Sequence, residues 1–271
     1  MHALGKCDAV NTIASGTEGH TFVVPVYGCS PFLEDCLRSL LAQTLASRVT
    51  ITTSTPSDFV NLVARRWGVE VLVNPARLGI AEDWNFAVGA TDARYVTLAH
   101  QDDTYDSAFL ERTMEAFSRH DGALCFTGYR EIDDDGQTTS SKISRVKHLI
   151  TALTIGSRSQ PSHRRMRAYL SIGNPLPCSS VTFDRRRLPN FLFSNRYASN
   201  LDWDAWLRLL DCKERFLFVP KRLVGRRHNS LTATAGLIAD GRRQSEDIEI
   251  FRRIWPEPVA AAIAKFYGLS Y

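Results

Sequence analysis

Apolar positions along the first half of the chain alternate between two rhythms. Residues 21–27 (TFVVPVY) form a β-rich apolar run. Leu33, Cys36, Leu37, Leu40 and Leu41 then recur at the three-and-four spacing of one helix face. Ser30, with Pro31 behind it, predicts the start of that helix, as an N-cap followed by proline at the first helical position. The alternation continues with a strand over 49–53 and a helix opened by Ser57 and Asp58. That helix carries Val60, Val63, Ala64 and Trp67 and closes at Gly68. A strand over 69–73, a turn at Asn74-Pro75 and a helix over 80–90 follow. Next come a strand over 95–99, a helix over 107–119 and a strand over 123–127. Near-continuous apolar strands alternating with helices predict an α/β fold, a mostly parallel sheet covered on both faces. Such sheets bind ligands at the carboxyl ends of their strands. The acid pair Asp102-Asp103 falls just past one such end.

The second half is less regular. Residues 137–173 are polar, basic and rich in Ser, Thr and Arg, and predict a mobile loop followed by a helix around 162–172. A strand over 180–186, a helix over 201–211 capped by Asn200, a strand over 216–220 and helices over 241–254 and 256–267 complete the pattern. The run Asp133-Asp134-Asp135-Gly136 could pass for a second metal site, but Asp-Gly among polar residues is turn chemistry.

Charge alters this picture more than composition does. With 271 residues, 44% apolar and 23% charged, the chain has the make-up of an ordinary soluble enzyme. No apolar run approaches the roughly 20 residues that span a bilayer. Six scattered cysteines form no CxxC pair, so reduced thiols and a cytoplasmic setting are expected, with Cys29, Cys36 and Cys125 buried. Residues 1–135 hold 10 Lys and Arg against 19 Asp and Glu, whereas residues 136–271 hold 23 against 10. The basic half therefore calls for an anionic partner: a diphosphate, a lipid phosphate, an acidic membrane face or a nucleic acid would each fit the charge. It has no nucleic-acid recognition motif, and no nucleic-acid partner is expected. A dinucleotide-dependent dehydrogenase is excluded by the lack of GxGxxG after the first strand.

Adjacent carboxylates at a strand end repel unless a cation or a distinct hydrogen bond offsets the cost. Asp102 and Asp103 are hard oxygen donors suited to Mg²⁺ or Mn²⁺, whose remaining positions substrate phosphates usually fill.

The ordered series VVPVYG (23–28), SLLAQT (39–44), NPARLGIAEDWNFA (74–87), YVTLAHQDD (95–103), LDWDAWLRL (201–209) and RRHNSLT (226–232) resembles glycosyltransferase family 2. The resemblance covers about residues 21–232 and implies the GT-A fold: a Rossmann-like sheet in a single domain with a C-terminal acceptor region. It implies inverting transfer from a nucleotide sugar to a saccharide or lipid-linked saccharide, with a divalent cation, Mn²⁺ or Mg²⁺. Residues 1–20 would be a flexible leader, 21–135 the nucleotide-sugar half, 136–240 the acceptor and catalytic-base half, and 241–271 terminal helices. Pro25, Val26 and Tyr27 would line the base pocket, and Asp103 would hold the cation. Asp102 would share the cation or contact the ribose, in a motif completed by His100 and Gln101. His100 stands where the family often has Asp. Arg77, Asp83 and Asn85 would be further donor contacts. Ser54 stands near the family's uracil-reading acid, so UDP is favoured over dTDP or GDP only modestly. Asp202 would be the general base, with Asp204 as runner-up. Arg226 or Arg227 would pair with the diphosphate, and His228 would be a third cation ligand or a phosphate contact. The rival expectation is a catalytically inactive nucleotide-sugar or polysaccharide binder within a larger assembly.

Overall fold

The structure is a computed structural model and describes residues 19–227 and 242–268. β1 (His20–Val26), β2 (Arg48–Thr53), β3 (Glu70–Val73) and β4 (Tyr95–Leu98) pair in parallel in the order β3-β2-β1-β4. Between them run α1 (Leu33–Leu41), α2 (Asp58–Trp67) and α3 (Ile80–Gly89). Ser57 caps α2 by accepting from the Val60 N–H, and Gly68 closes it in the left-handed region at φ +63°.

The expectation of a mixed α/β fold with a largely parallel sheet holds. The two halves are interleaved rather than apposed. β8 (Val181–Asp184) inserts between β4 and β6 (Leu124–Ile132), antiparallel to both. β9 (Phe216–Arg227) runs parallel to β6, and β5 (Thr104–Tyr105) closes the edge against β9. β7 (Thr138–Thr139) forms a hairpin with β6. Its turn is the acid run: the Gly136 N–H donates to the Asp133 carbonyl at 3.0 Å, with Gly136 at φ +77°.

Two cores flank the sheet. Phe22, Val24 and Ile51 face α1, α2 and α4 (Phe109–Arg119). Val23, Val96, Leu98 and Phe126 face the opposite layer, in which α6 (His163–Leu170), α7 (Leu201–Asp211), α8 (Arg242–Ile254) and α9 (Glu257–Gly268) pack with α3. Alternate residues of one strand serve opposite cores, as the period of two requires.

Three local expectations are corrected. Ser30 is not the cap residue of α1, which begins at Leu33 with Phe32 before it; its hydroxyl donates to Asp102 and accepts the Phe32 N–H at 3.3 Å in the preceding turn. Asn200 offers no side-chain cap to α7: its amide nitrogen donates to Asp247, and its Oδ1, the atom that would cap, is buried without a hydrogen bond. Cys29 is exposed, whereas Cys36, Cys125 and Cys178 are buried free thiols. One helix was not anticipated: α5 (Lys142–Thr154) occupies much of the stretch read as a loop. No helix among the described residues is long and apolar enough to cross a membrane.

Candidate active site at the carboxyl end of β4

The chain leaves β4 and turns sharply, with the Asp103 N–H donating to the His100 carbonyl at 3.1 Å. This turn presents the two carboxylates differently. Asp103 points into the fold and is 4% exposed. Its Oδ1 accepts the Arg227 backbone N–H at 2.9 Å, and the Ser179 hydroxyl lies beside it without reaching hydrogen-bond geometry. Asp102 is half-buried, and its Oδ1 accepts the Ser30 hydroxyl at 2.6 Å. Burial raises the pKa of both carboxyls, and for Asp102 the charge of Asp103 adds to the rise. Two carboxylates that resist ionisation side by side are a site that a cation would relieve.

His100 lies behind them, its ring 5.0 Å from that of Trp84. Desolvation pushes its pKa down to about 4, so the imidazole is neutral at pH 7. Its Nε2 is buried without a hydrogen-bond partner. Asp202, Asp102 and Arg226 all lie within electrostatic reach of this ring. The turn therefore brings the first-half acids together with residues more than 90 positions later.

Asp202 sits in the first turn of α7, half-buried. Its Oδ1 accepts the Trp203 N–H at 2.8 Å and its Oδ2 accepts the Asn174 amide at 2.9 Å. A carboxylate has about four lone-pair sites, so each oxygen keeps one free. Asp204 is differently placed. It is buried, with Oδ2 at 2.8 Å from Arg208 Nε and Oδ1 at 2.5 Å from Arg253 Nη1. That double ion pair ties α7 to α8 and takes Asp204 out of contention as the base.

At the carboxyl end of β1, Tyr27 follows the strand and is 69% exposed. Its backbone N–H and carbonyl are bracketed by the Gln101 amide at 3.3 Å each. Pro25 is half-buried and Val26 buried beneath it. The buried Ser54 hydroxyl donates to Asp83 Oδ2 at 2.9 Å, while Asn74 donates to Asp83 Oδ1 at 2.9 Å. Arg77 Nε donates to the Ser54 carbonyl at 2.7 Å, leaving the rest of the guanidinium at the surface.

Two expected donor contacts have other work. Asn85 exchanges both of its amide bonds with the Phe193 backbone, at 2.7 and 2.9 Å, and pins a loop. Arg227 is 3% exposed and acts as an internal strut. Its Nε donates to the Asp102 carbonyl at 3.0 Å, its Nη1 donates to the carbonyls of Asp133 and Asp134, and its guanidinium lies 4.2 Å from the Phe32 ring centroid. Strand alternation sends its neighbour Arg226 to the opposite face, toward Asp103 and His100. His228 lies outside the described residues.

Sequence reasoning missed Ser30, Asn174 and Lys147. Ser30 and Asn174 hold the two key carboxylates. Lys147, on α5, is brought down to about 7 by desolvation and then by Arg226 and Arg243, with Asp202 and Glu131 opposing. No spacing rule could have found it, because it reaches the site from a separate helix.

A curled, largely parallel α/β sheet with acids at the end of β4 is the architecture of the GT-A glycosyltransferases. The chain belongs to glycosyl transferase family 2, whose sequence pattern matches residues 21–186. An uncharacterised protein of Mycobacterium tuberculosis, MT1568, is 23% identical over 245 residues, covering 88% of this chain and 76% of that protein. The structure of S. aureus TarS 1–349 in complex with UDP-GlcNAc is similar at a TM-score of 0.60 and 12% identity, over 91% of this chain and 70% of that one. The mannosyltransferase PcManGT from Pyrobaculum calidifontis, in complex with GDP-Man and Mn²⁺, gives 0.61 and 15%, over 93% and 70%.

Proposed function

We propose that this protein transfers a sugar from a nucleoside diphosphate sugar to an acceptor hydroxyl, with inversion at the anomeric carbon. The observation that carries the reading is the convergence of Asp102, Asp103, His100, Arg226 and Asp202 around one strand end. Asp202 accepts the acceptor's hydroxyl proton as that oxygen bonds to the anomeric carbon. The bond from that carbon to the diphosphate oxygen breaks, and the nucleoside diphosphate leaves with the electron pair. Arg226 offers a guanidinium to the charge that develops there.

The acid pair fits a divalent cation, Mn²⁺ or Mg²⁺. The donors are hard oxygens, and their mutual repulsion is relieved by positive charge. Each carboxylate accepts one hydrogen bond, but Asp103 is 4% exposed and Asp102 half-buried, so we favour Asp102 as the ligand in place of the expected Asp103. Among the described residues no group of three His, Cys, Asp or Glu could hold a metal ion, so the shell needs substrate phosphates or His228. When bound, the cation supplies Lewis-acid stabilisation of the leaving diphosphate. The neighbours solved with UDP-GlcNAc and with GDP-Man and Mn²⁺ support a donor of this class. Ser54 in place of an acid keeps the preference for UDP modest.

The test is release of nucleoside diphosphate from UDP-, dTDP- and GDP-sugars in Mn²⁺, with water as the slow acceptor. Release is expected fastest from a UDP-sugar and abolished by EDTA. No release from any donor would overturn the reading.

The acceptor we propose is a saccharide or lipid-linked saccharide, met at an anionic membrane face. α5 exposes Val146, Leu149 and Leu153, the last at 74%, beside the exposed Lys142 and Arg145. Apolar residues flanked by basic ones suit the interface of an anionic bilayer. Vesicles containing phosphatidylserine should carry the protein in flotation, and neutral vesicles should not. Equal flotation with both would remove the membrane from the account.

A further inference from the structure

A second cationic site lies beside α5. Arg130 and Arg222, from neighbouring strands β6 and β9, and Arg145 and His148, from α5, line a cavity of about 230 Å³. A water occupies about 30 Å³ in the liquid, so the space holds a group several times larger. Glu131 is the one carboxylate of the described lining, and it is buried with Oε2 accepting the Ser141 N–H at 3.0 Å. Arg130 donates to the Arg222 carbonyl at 3.3 Å. None of the three arginines pairs with a carboxylate among the described residues. Desolvation first, and Arg222 next, hold His148 below its ordinary value, with Glu131 opposing.

We infer that this cavity binds a phosphate-class oxyanion through the Arg145 and Arg222 guanidiniums. Guanidinium forks match such an anion in shape and charge. The site is separate from the proposed donor diphosphate. Its lining shares no residue with Asp102, Asp103, Asp202 or Arg226, while Lys147, one residue before His148, lies within electrostatic reach of Asp202 and Arg226. An acceptor carrying a phosphate ester could be anchored there. Free phosphate offers the same chemistry as an effector. The binding inference stands without the transferase reading, because its test reads the cavity alone.

The test follows the His148 ring signals in the isotopically labelled full chain, assigned with His148→Gln. Inorganic phosphate and sn-glycerol 3-phosphate are titrated in turn, with KCl at matched ionic strength as control. A saturable His148 shift is expected, weakened about tenfold or more in Arg145→Ala/Arg222→Ala and retained in the Arg145→Lys/Arg222→Lys variant. Both side chains are exposed, so the substitutions spare the core. Saturation by glycerol 3-phosphate assigns an esterified ligand, and saturation by phosphate alone assigns the free anion. No shift with either probe, an equal shift with KCl, or a shift that survives removal of both arginines would overturn the inference.

Discussion

Asp202→Asn is expected to bind the donor nucleotide as the wild type does and to lose sugar transfer by about 10²–10⁴-fold, the usual contribution of a positioned general base. The variant is chosen because it is nearly isosteric. The amide oxygen still accepts from Asn174, and only the bond from the Trp203 N–H loses its partner oxygen. A lost hydrogen bond of that kind costs about 1 kcal/mol, too little to unfold a domain of this size. The control is Asp204→Asn, two residues along the same helix. That change leaves Arg208 and Arg253 without their shared carboxylate; both guanidiniums are part-exposed and take up water, so the loss of the charged hydrogen bonds costs about 1.5–3 kcal/mol. The two neighbours should therefore separate: one variant stable and inactive, the other unstable with its folded fraction active. An active Asp202→Asn enzyme would move the base elsewhere. An inactive one that still binds the nucleotide argues for an enzyme and against a mere binding module.

Asp102→Ala is expected to lose divalent-cation-dependent nucleotide binding, by about 100-fold or more, since even supporting partners of a metal ligand carry 10–100-fold. The reason is geometric. Ser30 holds Asp102 with one oxygen occupied and the carboxylate half-exposed, facing the same side as His100. Asp103→Ala behaves differently. It leaves the buried Arg227 N–H without an acceptor, which costs about 1–3 kcal/mol, and so lowers stability before it lowers affinity. If Asp103→Ala alone lost the cation response while Asp102→Ala kept it, the assignment of the two carboxylates would reverse.

Much of this was legible in the sequence. β1 to β4 and their helices are readable because their strands are apolar on both faces and each helix shows one apolar stripe. The acid pair is readable because strand ends carry ligands in such sheets. α5 was not readable, for a physical reason. Val146, Leu149 and Leu153 face outward while Ser144 is buried and Ile150 packs inward, so no single apolar stripe marks its buried face. The ambiguity of Ser30 has a similar root. A serine before a proline is cap chemistry locally, and only the folded turn places Asp102 within reach of its hydroxyl. Arg226 and Arg227 looked interchangeable in sequence. The parity of β9 separates them into a site residue and a strut. The acid run 133–135 is a turn, as read, yet two of its carbonyls anchor that strut.

The central claim is a cation-assisted nucleoside diphosphate site at the end of β4, and calorimetric titration of UDP into the full chain with and without Mn²⁺ tests it most directly. Saturable binding that strengthens at least tenfold with Mn²⁺ and reverts with EDTA is the predicted result, as expected where a cation bridges carboxylate and phosphates. Absence of UDP binding, or binding of equal strength with and without the cation, would contradict it.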